Sequence, residues 1–264
     1  MKNNKLIEKI KKEGIVKIEN FLFDDEIIKF SSILRFYSAP KNSEKSYFPI
    51  NYNQIAIKLM KLDIKGLIHG IDILNLEKRK KLTELANGFF EKKSKLSFID
   101  GYYSKKSNKD VLPWHTDQAY SGEKNVKNFN NPDHFYLKIF IYLTDVWHDN
   151  GCMSYIPKSH KIGYAIRKGI FQKKISYQPY WHIKDFRKII LTNEKYFKEH
   201  FKGTEVIEDF FKETDNIENS SFSKKFSYHA RAGTAIIFDE GGLHRGSKPQ
   251  TTDRMVLRYL YSIH

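Results

Sequence analysis

Four side chains in this sequence could assemble a metal site with an anion clamp beside it. His115 and Asp117 stand two apart in PWHTDQAY, His244 lies in GLHRGS, and Arg254 follows ten residues after that histidine. Residues i and i+2 of an extended chain point to the same side, so one imidazole and one carboxylate can face one ion. His244 supplies a second imidazole from a Gly-rich turn, where the backbone can come close to a ligand. Two His and one carboxylate on one face of an octahedron leave three positions open, the arrangement of non-haem iron centres that activate oxygen. The Arg254 guanidinium can hold a carboxylate through two parallel charge-assisted hydrogen bonds, which a lysine cannot reproduce. An HxD pair alone is a weak signal among 10 His, and its bland reading is a surface turn with a His–Asp hydrogen bond. The later His and Arg give it weight, because each falls at the edge of a predicted strand.

Those strands are read from periodicity. Gly14 to Phe21 is a short strand, after which Asp24 and Asp25 cap a helix with Ile27, Ile28, Phe30, Ile33 and Leu34 at helical spacing. Leu76 to Lys93 reads as a second helix, with Leu82, Leu85, Ala86, Phe89 and Phe90 as its buried stripe. Strands follow at Phe98 to Ser104, Phe135 to Thr144 and Cys152 to Ile156, the last leading into a turn from Pro157 to His160. Tyr164 to Ala230 mixes helix-like and polar segments, and Gly233 to Asp239 and Arg254 to Ser262 close the chain as strands. Helices first and then many strands predict a helix-flanked antiparallel double-sheet barrel, mainly β. The expected organisation is one domain: a flank over about 1–96, a core over about 97–163 and 231–264, and an insert over about 164–230.

Bulk properties limit what the motifs can mean. The 264 residues are enough for one large buried core, and 20 Phe with 16 Tyr fit a folded chain. The single cysteine, Cys152, excludes an internal disulfide and a thiolate zinc cluster, and is expected to be a small buried apolar group. The basic start lacks a signal-peptide core, and no uncharged apolar run reaches the roughly 18 residues of a membrane span, so a cytoplasmic protein is expected. The net charge of +15 raises nucleic acid as a partner. Its spread along the chain, mostly as Lys, favours a solvated surface instead. Residues 164–231 carry 14 basic and 9 acidic side chains, with Arg167, Lys168, Lys173, Lys174, Arg187 and Lys188 toward the first half. A basic cover of that kind predicts an acidic substrate, with mere solubility as the bland reading.

The chain resembles the phytanoyl-CoA dioxygenase family of 2-oxoglutarate oxygenases over most of its length. GIVKIENFLFDDEI is similar to that family's opening strand and helix, PWHTDQAY to its HxD loop, and YLKIFIYLTDVWHDNGCMSYIPKSHK to its central strand pair. AGTAIIFDEGGLHRGSKPQTTDRMVLRYLY is similar to the part with the distal His and Arg. The resemblance implies a double-stranded β-helix (jelly-roll, cupin-like) core, Fe(II), 2-oxoglutarate and O2, with succinate and CO2 as co-products. It implies His115, Asp117 and His244 as iron ligands and Arg254 as the 2-oxoglutarate anchor, with Ser247 near the same carboxylate. Lys105 resembles a family lysine near the co-substrate. Related halogenases lack the carboxylate ligand, so Asp117 favours hydroxylation. Members act on very different small molecules, and the substrate stays open.

Other residues have plainer readings. His160, and His134 and His148 beside Asp133 and Asp149, read as turn or surface residues. Arg258, on the same face of its strand as Arg254, is the reserve anchor. In Tyr136 to Leu143 one face is aliphatic, and the other, with Tyr136, Lys138, Phe140 and Tyr142, suits a barrel interior where Lys138 would need an anion, 2-oxoglutarate among the candidates; a solvent-facing strand is the alternative. Three other functions share these residues: a nucleic-acid oxidative demethylase, a non-catalytic basic binding protein, and a metal-binding sensor of the same fold.

Overall fold

The computed structural model describes residues 2–38, 50–51, 64–117, 136–148, 150–217 and 224–263. His134, Asp133, Asp149 and Phe135 lie outside the described residues. The N-terminal flank consists of α1 (Lys2–Glu13), β1 (Ile15–Ile18), α2 (Asp24–Ser38), β2 (Ile50–Asn51), α3 (Ile64–Arg79) and α4 (Leu82–Phe90). The helix predicted from Leu76 to Lys93 is thus two helices. Lys81 between them adopts a left-handed φ of 55°, and the side chain of Glu77 caps the second by accepting from the Thr83 N–H at 3.0 Å and from its hydroxyl. Leu82, Leu85, Ala86 and Phe89 are buried as expected, whereas Ile28 of α2 points to solvent.

The core has two antiparallel sheets built from β3 (Lys95–Ser104), β4 (Leu112–His115), β5 (Tyr136–Tyr142), β6 (Met153–Tyr155), β7 (Ser227–Tyr228), β8 (Ala235–Asp239), β9 (His244–Gly246) and β10 (Arg254–Ser262). The larger sheet has the order β1-β8-β5-β10-β3-β2 and the smaller β4-β9-β6-β7. Non-consecutive neighbours in both sheets, with helices on the flank, make the double-stranded β-helix predicted from the sequence. β10 lies between β5 and β3, so all nine of its residues are buried. Its alternation sends Met255, Leu257, Tyr259 and Tyr261 into the layer under α1 to α4 together with Leu137, Ile139 and Ile141. The opposite phase, Arg254, Val256 and Arg258, faces the barrel interior with Tyr142 and Phe140 across from them.

The insert is helical: α5 (Ser159–Phe171), α6 (Ile183–Thr192), α7 (Glu194–Phe201) and α8 (Glu205–Thr214). The segment expected to turn from Pro157 to His160 already begins α5, and β7 belongs to the smaller sheet, so the insert starts and ends a few residues before its predicted bounds. Ile162, Ile166, Phe186, Ile190, Phe197 and Phe210 form a second core, which Leu243 and Trp114 join. Both are strand-end neighbours of His244 and His115, so alternation turns them away from the interior. These helices therefore buttress the smaller sheet from outside. Of the basic group, Arg167 is buried, and Arg187 is engaged with Thr214 at 2.8 Å and Asp215 at 3.1 Å; Lys168, Lys173, Lys174 and Lys188 are exposed. Among the described residues no helix is long and apolar enough to cross a membrane.

Candidate metal centre

His115 ends β4 directly opposite His244, the first residue of β9, in antiparallel register. Their rings are 4.3 Å apart between centroids. Each Nδ1 faces a backbone carbonyl two residues back, Pro113 O at 2.6 Å for His115 and Gly242 O at 2.9 Å for His244. Those carbonyls fix Nδ1 as the protonated nitrogen and leave both Nε2 atoms as acceptors, as metal-binding histidines require. Asp117 follows β4, held by its N–H on Glu240 O at 3.3 Å. Its Oδ1 is 3.6 Å from His115 Nε2 and its Oδ2 is 3.1 Å from His244 Nε2. The three ligand atoms all lie within 4.8 Å of one another. The turn carrying His244 needs Gly242: a Cβ there would sit 1.9 Å from the Tyr155 hydroxyl, and the Tyr155 ring stacks on His244.

Charge is tightly matched around Asp117. Lys138, buried on β5, donates to Asp117 Oδ2 and lies 3.2 Å from Glu240 Oε2. Burial pushes the Asp117 carboxyl up, but Lys138, His244 and His115 together hold it well below the usual carboxylate range. Burial also dominates at Glu240, raised to about 7 with Lys138 opposing and Asp117 reinforcing. His244 is lowered, first by burial and then by the neighbouring His115. The interior-facing reading of the Lys138 face is what the structure has; Lys138 itself stands beside the candidate metal ligands Asp117 and His244.

Arg254 and Arg258 share the interior face but not their surroundings. Arg258 donates from Nε to Asp100 Oδ1 at 2.6 Å and from Nη2 to Asp100 Oδ2. That fork is taken, and the reserve anchor is a structural ion pair. Arg254 is buried, with its guanidinium 5.5 Å from the Tyr142 ring centroid. Its Nε, the Tyr142 hydroxyl and the Ser104 hydroxyl all lack a hydrogen-bond partner among the described residues; Ser104 and Arg254 are cross-strand partners. The approach to Arg254 is built by its neighbours. Asn150 Oδ1 accepts from the Thr251 N–H at 2.8 Å, and Asp253 accepts from the Tyr103 hydroxyl at 2.8 Å. Gly151, at φ 76°, lies over the arginine stem, where a Cβ would meet Cδ at 2.8 Å. Ser247 is buried and donates its hydroxyl to Cys152 Sγ at 3.6 Å, and Cys152 is buried as expected. Lys105 lies half-buried on the turn after β3.

His160 is a correction: it is buried, with Nε2 3.1 Å from Lys11 O, and burial lowers it to about 4. It ties α5 to α1 and is no surface residue. His148 bonds Ser227 Oγ at 2.9 Å through Nδ1. Glu240, Asp100 and Ser104 border the candidate site and were missed by motif reasoning, which read Tyr142 only as part of an interior face. Their only signal is strand phase: Asp100 and Ser104 fall on the interior phase of β3, where a polar side chain needs a partner.

Two such sheets around paired histidines and a carboxylate are the arrangement of non-haem iron oxygenases. The sequence matches the family described as Phytanoyl-CoA dioxygenase (PhyH) over residues 10–256, and the chain belongs to that family. With the family come Fe(II), 2-oxoglutarate and O2. Among solved structures it is similar to HygX from Streptomyces hygroscopicus, with nickel and 2-oxoglutarate bound, at 13% identity and a TM-score of 0.57, covering 98% of this chain and 86% of that one. The alpha-ketoglutarate-dependent epimerase SnoN from nogalamycin biosynthesis aligns at 14% identity and 0.58, over 99% and 80%. The carbocyclase SnoK from nogalamycin biosynthesis aligns at 15% and 0.54, over 98% and 83%. These likenesses concern the fold. No curated protein sequence matches the chain.

Proposed function

We propose that the protein is an oxygenase in which His115, Asp117 and His244 hold Fe(II), Arg254 binds the distal carboxylate of 2-oxoglutarate, and a small organic substrate is hydroxylated. The observation that carries this reading is the buried Arg254, whose Nε has no hydrogen-bond partner among the described residues and which lies beside the Ser104 and Tyr142 hydroxyls, in the same interior as three convergent candidate ligand atoms. A buried guanidinium without a carboxylate is costly unless an anion arrives. When bound, iron and 2-oxoglutarate supply the oxidising power, with conversion of 2-oxoglutarate and O2 to succinate and CO2. The chain's own contribution is positional. Pro113 O and Gly242 O set the histidine tautomers, and the fork of Arg254 orients the dicarboxylate. Ser247 and Lys105 belong to the same proposal as flanking contacts, and Lys138 as a cation near the end of the co-substrate that approaches the metal.

Hydroxylation is proposed ahead of halogenation because the carboxylate ligand is present where a halide would otherwise sit. An anionic substrate is the finer part of the proposal and rests on the basic group of the 164–231 segment, of which Lys168, Lys173, Lys174 and Lys188 are exposed. A metabolite-library screen for succinate release above the uncoupled background identifies the substrate, and mass analysis under 18O2 identifies the reaction. Gain of one labelled oxygen is expected, and a product with no added oxygen sinks hydroxylation while leaving the class intact. Asp117→Ala leaves only two imidazoles, so loss of metal binding and of all turnover is expected. Unchanged turnover in that variant removes the ligand assignment.

A further inference from the structure

We infer that Lys138 is a built-in cation that neutralises Asp117 while the metal is absent and is taken up by Glu240 when the metal binds, so that Lys138 and Glu240 set metal affinity in opposite directions. The inference rests on the triad proposed above. Its basis is the position of one ammonium between two carboxylates. Lys138 Nζ contacts Asp117 Oδ2 and lies 3.2 Å from Glu240 Oε2, and all of this is enclosed: Lys138 and Glu240 are 7% and 6% exposed. The oxygen that Lys138 holds is the one 3.1 Å from His244 Nε2. Ammonium and metal therefore compete for the same side of the same carboxylate.

The metal-free protein needs such a cation. Asp117 and Glu240 converge on the same buried point, and two unpaired carboxylates there would oppose folding. A divalent ion on Asp117 removes that need and repels the ammonium. Glu240 is already within hydrogen-bond reach, so the transfer requires only rotation about the end of a flexible stem. Lysine suits this task better than arginine: its charge is compact and rotatable, whereas a planar fork would be committed to one partner, as Arg258 is to Asp100. Glu240 is held in place from the other side, since its backbone carbonyl accepts from the Asp117 N–H at 3.3 Å and from the Thr116 hydroxyl at 3.2 Å. The ligand carboxylate and the acceptor carboxylate are thus tied to each other through the β4 end and the β8–β9 turn, while the lysine between them comes from β5.

The test is calorimetric titration of Co(II) into metal-free protein at one pH, without co-substrate or turnover, on wild type, Lys138→Met, Glu240→Gln and His244→Ala. Lys138→Met is expected to bind Co(II) at least tenfold more tightly than wild type. Its metal-free melting temperature should fall and its gain on adding metal should exceed that of wild type. Glu240→Gln should bind at least fivefold more weakly. A lysine that merely supports the local structure predicts the opposite sign, weaker binding on its removal. Lys138→Met with unchanged or weaker affinity overturns the inference, as does Glu240→Gln with unchanged affinity. If Lys138→Met does not fold without metal, Lys138→Gln, which keeps a donor but no charge, carries the same expectation and the same overturning result. Failure of the triad is distinguishable: wild type then binds no Co(II), or His244→Ala binds it as well as wild type does, and the inference falls with it. Binding that needs His244 but ignores Lys138 and Glu240 removes this inference alone.

Discussion

Arg254 and Arg258 are four residues apart on one strand, face the same interior and are both buried, yet one is bonded through two nitrogens and the other has an unpartnered Nε. The difference comes from what stands across the sheet. β3 places Asp100 opposite Arg258 and Ser104 opposite Arg254. A carboxylate closes the first site, and a hydroxyl leaves the second open to a ligand. Both cations are buried, so on the proposed reading the neighbour across the sheet decides which arginine stabilises the fold and which is left for an anion. Burial also raises Asp100, with Arg258 opposing, so the pair is one in which each charge depends on the other.

The sharpest way to break the comparison is Asp100→Asn. Removing one partner of a buried pair leaves an uncompensated charge, and a loss of about 3 kcal/mol or more is expected by urea denaturation. The KM for 2-oxoglutarate of the folded fraction should stay within about twofold of wild type, since the affected arginine is not the anchor. Arg254→Lys should do the reverse. The charge survives but the fork does not, so KM for 2-oxoglutarate should rise about tenfold, or about 1.4 kcal/mol, with little change in denaturation midpoint. If Arg258→Lys alone produced the rise in KM, the two roles would have to be exchanged.

The fold and the candidate metal ligands could be read from sequence where chemistry coincides with strand edges: His115 ends a strand, and His244 and Arg254 each begin one. Alternation alone placed Lys138, Phe140 and Tyr142 on one side of β5. What could not be read depends on register between distant strands. Nothing in the segment around Asp100 announces that it faces Arg258, 158 residues away, and Glu240 in FDEGG looks like any acidic turn residue until the turn is folded back on Asp117. The insert was opaque for another reason. Its helices run 8 to 13 residues, too short for propensity to define them in isolation, and they exist because they pack on one another and on the outer side of the smaller sheet. His160 looked superficial because its burial is created by α1, which arrives from the opposite end of the sequence.

The smallest expected effect gives the finest version of the comparison. The Tyr142 hydroxyl is fully buried beside Arg254 with no well-formed hydrogen bond among the described residues, and burial raises it above the ordinary phenol range while Arg254 and the Met153 backbone oppose the rise. An unsatisfied buried hydroxyl costs roughly 1–3 kcal/mol, so in the ligand-free protein Tyr142→Phe should be neutral or stabilising, seen as an unchanged or higher melting temperature. Once a carboxylate occupies the guanidinium, the same hydroxyl can donate to it, and its loss should then raise KM for 2-oxoglutarate roughly fivefold, about 1 kcal/mol. The two measurements move in opposite directions only if the hydroxyl is kept for a ligand. Lower stability with an unchanged KM would mean that Tyr142 serves the fold, as Asp100 does.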